Sequence, residues 1–476
     1  MFVYGLHRHP MWGSDAEEFK PERWLDPASL PACPNAFAAF NMGRRICIGH
    51  LPVIGHVHHV FGNSTMITDI DDCMTVANSC LEKGSFYEFG KVWLGEGLVT
   101  ASVSKWKKHR KILNTAFNQQ MLDGFLSIFN FQARRLCNEL ELKEDGISFD
   151  IGDYLQRFAL ETIYCTATGV DLDHEESLNK KFRDAANNIA GITSDRALKF
   201  WLHNDFTWNR SNDKIKMDKD LNFLNGILNM IIKKRMENDN NPDVKNTSGE
   251  SLKTFSDILF HLKDTDGEKV FTDQDVKDHV TTLIVAGYDT VALSLLYTIL
   301  LIGSYPKVQN KIYAELADVF GKSDRDVTKI DLSRLVYLDA ALKESIRLYP
   351  VAPYIARLLD RDIKLKNLTL YSGNSCYMSI YGINRHPIWG SDADQFKPER
   401  WLDPARLPKN RNYFASFSFG RRNCIGKSYA TMWMKIVLVY ILRRYVITGD
   451  HTKTVSMYEV LLKPVSGHLV TVEKRK

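Results

Sequence analysis

A cysteine, an arginine, a phenylalanine and two glycines lie close together near the end of the chain. Phe417, Gly420, Arg422, Cys424 and Gly426 fall within ten residues. A cysteine thiolate that ligates haem iron needs backbone folded around the sulfur, donors that moderate its charge and nothing bulky beside the flat porphyrin. The glycines permit the turn and the close approach, the arginine can pair with a haem propionate, and the phenylalanine can shield the sulfur from water. This segment therefore indicates a haem-thiolate site with Cys424 as the axial ligand.

A long apolar segment that ends at Pro306 supplies the second candidate site. Thr272, with Asp275 three residues later, forms a capping-box analogue at its start, and the proline cannot continue a helix. Roughly thirty residues at about 1.5 Å each make about 50 Å of helix, long enough to cross a whole domain. We therefore predict a long central helix that carries Asp289 and Thr290.

The composition of the 476-residue chain is that of a large globular protein, with 44% apolar and 25% charged residues. The formal net charge of +5 gives no case for nucleic-acid binding. The eight cysteines show no spacing typical of a disulfide framework or a paired zinc site, which favours a reducing compartment. The longest apolar runs fall short of the roughly 20 residues that span a bilayer, so we expect neither a transmembrane helix nor a signal peptide.

The opening segment of the chain is repeated near its end. The stretch that begins at Tyr4 recurs from Tyr381 without a gap, and the offset of 377 residues (424 − 47) pairs Cys47 with the later cysteine of the same motif. A segment this short is close to the lower size limit for building a core. We therefore predict that residues 1–50 are an orphan duplicate without an independent fold, that Cys47 binds no haem, and that residues 51–476 form the working domain.

The cysteine segment resembles the haem-binding loop of the cytochrome P-450 superfamily, and other motifs of that superfamily occur in their usual order. The resemblance covers nearly all of residues 51–476. The segments GYDT, LYPVAPYIAR and FKPERWLDP are similar to those of microsomal, family 4-like enzymes of insects. The resemblance implies a mainly α-helical fold with small β-sheets, in which the long helix passes over haem b. Apart from the thiolate ligand, the haem is expected to be held without covalent bonds.

The segment from Ala286 to Thr290 resembles the oxygen-activating segment of the superfamily. Gly287 costs about 1 kcal/mol relative to alanine inside a helix, and a threonine that bonds the preceding turn can open the hydrogen-bond ladder and admit water. The resemblance implies that Thr290 and Asp289 deliver protons by way of water. Many family 4 enzymes carry a glutamate that can form an ester with haem at the position of Ala286, so no such ester is expected here.

Trp106 and Arg110 lie one helical turn apart in the segment KWKKHR. The resemblance implies that both residues reach a haem propionate, and that Arg357 in PYIAR does so as well. On residue type alone, a surface or packing role is about as plausible as haem binding for each of the three, and the order of the motifs along the chain favours haem binding.

Glu344 and Arg347 in KESIRLYP are spaced to share one helix face and to form an ion pair. Together with Arg400 of FKPERW they resemble the buried Glu-Arg-Arg network of the superfamily. The resemblance implies that this network holds the segment leading to the cysteine, so its role is structural and not catalytic.

The resemblance implies a monooxygenase that inserts one atom of dioxygen into an apolar small molecule, such as a fatty acid, hormone, terpenoid or xenobiotic. Electrons would come from an NADPH-dependent flavoprotein reductase, with cytochrome b5 as a possible second donor, at the cytosolic face of the endoplasmic reticulum membrane. Residues Ser85 to Val99 are expected to border the substrate pocket. A basic face on the cysteine side suits an acidic donor, because complementary charge raises encounter rates. It comprises Lys105, Lys107, Lys108, Lys111, Arg421 and Lys427.

Two other interpretations stay open. A haem-thiolate isomerase or dehydratase would need no dioxygen, although the Asp289-Thr290 pair argues against it. The repeated fragment occupies the place of the membrane helix of anchored members, so the chain could also be an inactive product of a truncated or fused gene.

Overall fold

The computed structural model describes residues 54–59, 62–144, 146–170, 176–240, 254–263 and 267–475. Helices dominate these ranges, which confirms the prediction of a mainly helical fold with small β-sheets. The predicted duplicate, residues 1–50 with Cys47, lies outside the described residues. The α-helices are α1 Ile70–Ser79, α2 Lys91–Leu94, α3 Val103–Leu113, α4 Gln119–Gly124, α5 Leu126–Leu140, α6 Gly152–Thr168, α7 Glu176–Leu198, α8 Asp205–Trp208, α9 Asn212–Asn240, α10 Phe255–His261, α11 Asp273–Ser304, α12 Pro306–Phe320, α13 Lys329–Arg334, α14 Val336–Leu348, α15 Ile380–Ile383 and α16 Lys427–Arg444.

Short 3-10 helices connect several of these elements. They are Ser85–Gly90, Asn114–Phe117, Glu141–Lys143, Phe200–Leu202, Pro387–Trp389, Pro398–Leu402, Pro404–Arg406, Arg411–Tyr413 and His451–Lys453.

The described part of the chain contains one four-stranded sheet and three two-stranded sheets. The strands are β1 Ile54–His59, β2 Gly62–Ile67, β3 Tyr354–Leu358, β4 Ile363–Lys364, β5 Thr369–Leu370, β6 Ser375–Ser379, β7 Tyr445–Gly449, β8 Val455–Glu459, β9 Leu461–Ser466 and β10 Val470–Lys474. In the four-stranded sheet, with the order β1-β2-β6-β3, only β2 and β6 run parallel. The two-stranded sheets pair β10 with β7, β4 with β5, and β8 with β9.

The central helix α11 begins and ends where the sequence predicts. Both halves of the capping box form, because Thr272 Oγ1 accepts from the Asp275 amide at 3.1 Å and the Asp275 carboxylate accepts from the Thr272 amide at 3.0 Å. The helix stops at Ser304, just before Pro306, after 32 residues or about 48 Å. Among the described residues it is the one helix long and apolar enough to cross a membrane. Since 78% of its most apolar window is buried inside the protein, it is a core helix here.

Helix α6 packs directly against α11. A Cβ atom at Gly287 would lie 2.7 Å from Ile163 Cδ1, so this close approach requires glycine. The largest hydrophobic core joins these two helices to α5, α14 and α16. A second core, with Met378 and Trp389, packs around the four-stranded sheet. The two cores therefore fix the helix and the sheet that frame the site.

Candidate active site

A cavity of about 320 Å³ lies along the middle of α11. The described residues that line it include no aspartate or glutamate, whereas Lys83, Arg110 and Arg422 are cationic. The cavity is therefore apolar with an excess of positive charge. Its wall on α11 consists of Thr282, Leu283, Ala286, Gly287, Thr290, Val291 and Ser294.

Cys424 lies near the end of a tight loop that precedes α16. Its amide donates to the Phe417 carbonyl at 2.9 Å, which closes the loop. Gly420 has φ +68° and an added Cβ would lie 3.1 Å from Ala77 Cβ, so glycine is required there. Gly426 differs from the prediction, because it is the N-cap of α16 with φ −84°, a value open to any residue. Its side-chain-free surface lines the cavity, and the backbone turn depends on Gly420.

Protein atoms pack around Cys424 on most sides. The part of the residue that remains accessible to solvent faces the cavity. Burial raises the pKa of Cys424, although the Gly426 amide and the charges of Arg110 and Lys427 oppose the rise. Such a thiol stays protonated at neutral pH unless a metal ion or another cation ionises it. The site is therefore suited to a coordinating thiolate and not to a free nucleophile.

Two buried guanidinium groups have donors without a partner among the described residues. Arg422 Nη2 donates to the Ala101 carbonyl at 3.0 Å and its guanidinium lies 4.5 Å from the Trp106 ring centroid, but its Nε and Nη1 have no hydrogen bond. Arg357 Nη1 donates to the Ala356 carbonyl at 2.9 Å, and its Nε and Nη2 are likewise unpaired. Burial, together with the charge of Arg357, lowers the pKa of Arg422 to about 10. Buried donors of this kind fit an anionic ligand, since unpaired buried charge is costly.

Arg110 ties helix α3 to the cysteine loop. Its Nη1 donates to the Asn423 carbonyl at 2.8 Å, its Nη2 to Asn423 Oδ1 at 3.0 Å and its Nε to Asn114 Oδ1 at 2.8 Å. Arg110 also lines the cavity. Its contact with a propionate stays a prediction, whereas its bonds to the residue before Cys424 show that it positions the loop.

Thr290 and Asp289 have different surroundings. Thr290 lines the cavity and its Oγ1 donates to the Ala286 carbonyl at 2.7 Å, while α11 stays helical through this turn. Asp289 is not part of the cavity wall: it accepts from Gln156 Nε2 at 3.1 Å and pairs with Lys463 Nζ at 3.0 Å. The structure therefore brings the threonine, but not the aspartate, into the cavity that contains the cysteine.

The family model described as Cytochrome P-450 matches residues 1–51 and 75–472 of the chain. The chain belongs to the cytochrome P-450 family. Cytochrome P-450 4V2 of Homo sapiens is 30% identical over 404 residues, which cover 83% of this chain and 77% of that protein. Cytochrome P-450 4c21 of Blattella germanica is 31% identical over 404 residues, covering 83% of this chain and 80% of the relative. The predicted similarity to family 4 is confirmed, and the relatives include insect and vertebrate proteins.

Cytochrome P-450 4g1 of Drosophila melanogaster is 26% identical over 512 aligned positions, covering 98% of this chain and 91% of that relative. Membership of the family makes this cytochrome P-450 a haem monooxygenase, an oxidoreductase whose cofactor is haem ligated by a cysteine thiolate. The predictions of the enzyme class and the cofactor are confirmed.

The cavity of this cytochrome P-450 fits haem. Arg422 lines the cavity and its unpaired donors match a propionate carboxylate, and the described wall has no acidic residue that would repel it. Arg357, which also has unpaired donors, is not among the residues that line the cavity, but it lies near enough to Arg422 for its charge to lower the pKa of that group. Cys424 supplies the thiol. At Ala286 and Gly287, in the middle of the α11 wall, nothing larger than a methyl group projects from the helix. A flat cofactor with two carboxylates would satisfy these features together.

Glu344, Arg347 and Arg400 are fully buried and in contact, as the P-450 resemblance implies. Arg347 Nη2 donates to Glu344 Oε1 at 2.8 Å and Arg400 Nε donates to the same oxygen at 3.2 Å. Lys397 and Trp401 donate to the Glu344 carboxylate through the backbone amide and the indole nitrogen, at 3.2 Å and 2.8 Å. The carboxylate therefore joins α14 to the segment that leads toward the cysteine loop.

Five of the six predicted basic residues are exposed: Lys107, Lys108, Lys111, Arg421 and Lys427. Lys105 departs from the prediction, because its Nζ pairs with the Asp275 carboxylate at 2.6 Å. Burial would raise the pKa of Asp275, but hydrogen bonds from Lys105 and Thr272 lower it to about 2. Lys105 thus secures the start of α11, and the other residues form the exposed basic face.

Sequence reasoning missed Lys83, which lines the cavity and pairs with Arg357 in an isolated β-bridge. Its Nζ lies 4.4 Å from the Tyr87 ring centroid. Nothing in its local sequence separates it from an ordinary surface lysine, because only the tertiary pairing places it here. Of the segment expected to border the pocket, Leu98 and Val99 line the cavity, whereas residues 85–97 are not part of its wall.

Proposed function

We propose that Cys424 is the axial ligand of the haem iron and that this P-450 oxidises an apolar small molecule. The observation that carries the proposal is that Cys424 and Thr290 line one apolar cavity. When bound there, haem supplies the reductive activation of dioxygen, one atom of which enters the substrate while the other leaves as water. Fatty acids, hormones, terpenoids and xenobiotics all match the apolar character of the wall.

Each site residue has a proposed task. Arg422, Arg357 and Trp106 hold the propionates, since the two guanidinium groups have free donors and the indole packs under one of them. Phe417 shields the sulfur from water, Gly420 permits the turn of the loop, and Gly426 leaves room beside the cavity. The cysteine loop is further positioned by Arg110 and by the Glu344, Arg347 and Arg400 network.

Thr290 holds a proton for dioxygen activation, because its hydroxyl lines the cavity and is held by its bond to the Ala286 carbonyl one turn earlier. Asp289 supplies protons from outside the cavity by way of water, after its pair with Lys463 opens. We expect Thr290→Ala to keep its full haem content and to divert electrons to hydrogen peroxide. The ratio of product to NADPH consumed checks this, and an unchanged ratio would contradict the role of Thr290.

The exposed basic face is the proposed docking site for an NADPH-dependent flavoprotein reductase and for cytochrome b5. Lys107, Lys108 and Lys111 lie on the outer side of α3, and Arg421 lies in the cysteine loop itself. Charge complementarity of this kind raises association rates at low ionic strength. Reduction rates that do not fall with rising salt, or that survive Lys108→Glu, would count against this site.

Contact with the cytosolic face of the endoplasmic reticulum membrane is supported by an exposed apolar patch after α7. Phe200, Trp201 and Phe206 are 46%, 54% and 64% exposed. Large aromatic side chains left in water mark interaction surfaces, and aromatic rings favour the membrane interface. Replacing these three residues by serine should reduce flotation with phospholipid vesicles. Leu142→Ser, at an exposed apolar position elsewhere, serves as the control.

Residues 51–476 are the proposed working domain, and residues 1–50 a duplicated fragment. The separate match of residues 1–51 to the family model supports this proposal. In the fragment, Ile46 precedes Cys47, where Asn423 precedes Cys424. The Ile46 side chain has no oxygen, so it cannot accept a hydrogen bond like the one that Asn423 Oδ1 accepts from Arg110.

The experiment that tests the function uses the absorption spectrum of the reduced, carbon monoxide-bound protein. Cys424→Ala should abolish the thiolate-type band, because Cys424 is the thiol of the cavity wall. Cys47→Ala is the matched control, since it changes the same motif in the repeat and should leave the band and the content of one haem per chain unchanged. A band that survives Cys424→Ala would overturn the assignment, and two haems per chain would overturn the proposal for residues 1–50.

A further inference from the structure

Asp278 is a buried carboxylate on α11, about two turns before the cavity-lining Ala286. Only 6% of it is exposed, and no ion pair reaches it among the described residues. Its Oδ2 accepts from the Glu96 amide at 2.7 Å, and its Oδ1 accepts from Gln274 Nε2 at 2.7 Å. A buried polar side chain needs hydrogen-bond partners, and one of the two found here is a backbone amide 182 residues earlier in the chain.

Two glycines allow the backbone on either side of Glu96 to pack closely against Asp278 and its helix. Gly95 has φ +54°, and a Cβ added to it would overlap the Asp278 carboxylate. A Cβ added to Gly97 would overlap the Thr282 hydroxyl and lie 2.7 Å from the Asp278 carbonyl oxygen. Side chains at either position would push the backbone off α11. The contact therefore depends on both glycines as well as on the carboxylate.

The same backbone leads straight into the cavity. Residues 95–99, called the wall loop here, end in Leu98 and Val99, which line the cavity next to Thr282 and Leu283. The loop is braced internally, because Thr100 Oγ1 donates to the Gly95 carbonyl at 2.7 Å. A loop braced in this way shifts as a unit when its attachment to α11 is lost.

We propose that Asp278 is a positioning residue that holds the wall loop on α11 and so limits the width of the ligands that the haem cavity admits. The ligand-width part of this inference rests on the proposed function, whereas the attachment of the loop does not. The ligands admitted by the intact protein are narrow apolar molecules, because Leu98 and Val99 are fixed against the helix. Releasing the loop opens the cavity to branched or multi-ring molecules.

The attachment is tested by amide hydrogen exchange over residues 95–102, measured on the purified full chain whatever its haem content. Asp278→Ala removes the acceptor for the Glu96 amide, so exchange there should become about tenfold faster, which equals about 1.4 kcal/mol. Gly97→Ala should give the same result with Asp278 intact. Asp278→Asn, which keeps an acceptor oxygen, should restore most of the protection.

Asp273→Asn is the matched control, since it removes an exposed carboxylate from the same helix and should leave exchange unchanged. Exchange that stays unchanged in both Asp278→Ala and Gly97→Ala would overturn the proposal. If Asp278→Ala does not fold, Gly97→Ala and Asp278→Asn carry the test.

Ligand width is tested with two imidazoles that bind haem, 1-phenylimidazole and the bulkier 1-tritylimidazole, followed by the shift of the haem absorption band. The ratio of the Kd for the trityl compound to that for the phenyl compound should fall about tenfold in Asp278→Ala and Gly97→Ala, and stay unchanged in Asp273→Asn. Faster exchange with an unchanged ratio would overturn the role in selectivity. Absence of haem from the unmodified protein would instead refute the proposed function and leave the exchange test in force.

Discussion

Two buried groups of positive charge in this P-450 are built in opposite ways. In the first, Arg347 and Arg400 share the Glu344 carboxylate, and Arg400 Nη1 also pairs with Asp392 at 2.9 Å. Backbone carbonyls accept from other donors of this group, as the Asn384 carbonyl does from Arg347 Nη1 at 2.7 Å. In the second, Arg357 and Arg422 keep buried nitrogen atoms without partners, and Lys83 joins them without an acidic contact among the described residues. The first group completes itself within the protein, whereas the second needs an anion from outside. Both groups are buried, so what distinguishes them is the acidic partner, which the first group has and the second lacks among the described residues.

The largest change in stability is expected when the first group, that of Glu344, loses its shared carboxylate. Glu344→Gln leaves the buried Arg347 guanidinium without a counter-charge and leaves Arg400 with Asp392 alone, so the free energy of unfolding should fall by about 3–5 kcal/mol. Urea denaturation of the haem-free and haem-bound forms measures the loss, which should appear in both. Glu237→Gln removes a carboxylate from an exposed pair with Lys233 and should change stability by less than about 0.5 kcal/mol.

An effect of opposite sign is expected from the incomplete group. Arg422→Met removes an unsatisfied buried charge, so the haem-free protein should become more stable by about 1–3 kcal/mol. Because Arg422→Met also removes a proposed partner of a haem propionate, haem should transfer from this variant to apomyoglobin about tenfold faster, which corresponds to about 1.4 kcal/mol. Arg421→Met, at an exposed neighbouring position, is the control. Loss of stability in the haem-free form would show that Arg422 is structural, like Arg347.

The smallest effect is expected at Lys83, and it depends on pH. Burial, with the charges of Arg357 and Arg422, lowers the pKa of Lys83 well below its ordinary value near 10.5. Between the two values the unfolded chain binds a proton that the folded haem-free protein does not, so its stability rises with pH in that window. Lys83→Met should remove part of this rise, and Lys107→Met, at an exposed position, should not. Unfolding free energies measured from pH 7 to pH 10 check the difference, and equal slopes for both variants would contradict it.

Local sequence signals predicted the features that depend on neighbours along the chain. The capping box fixed the start of α11, and the spacing of Glu344 and Arg347 gave their ion pair. The positive φ of Gly420 follows from the same kind of local signal, since few residues other than glycine adopt it readily.

Features that depend on distant partners could not be predicted in this way. Asp289 and Thr290 were predicted to deliver protons together, but adjacent residues on a helix point about 100° apart, and Asp289 pairs with Lys463 of β9 away from the cavity wall. Lys105 was predicted to belong to the basic face, but in the structure it pairs with Asp275 of α11. Lys83 lies at the cavity because its backbone pairs with that of Arg357 in an isolated β-bridge.

The hydrogen bond between Arg110 and Asn423 can form only after both residues have been synthesised. The two residues are 313 positions apart. A ribosome that adds about 5–20 residues per second needs roughly 16–63 s to travel from the first to the second. During that interval α3 has emerged without the loop that it clamps, and the cationic pocket has no cysteine beside it. Haem capture that needs the cysteine loop therefore cannot precede the synthesis of that loop.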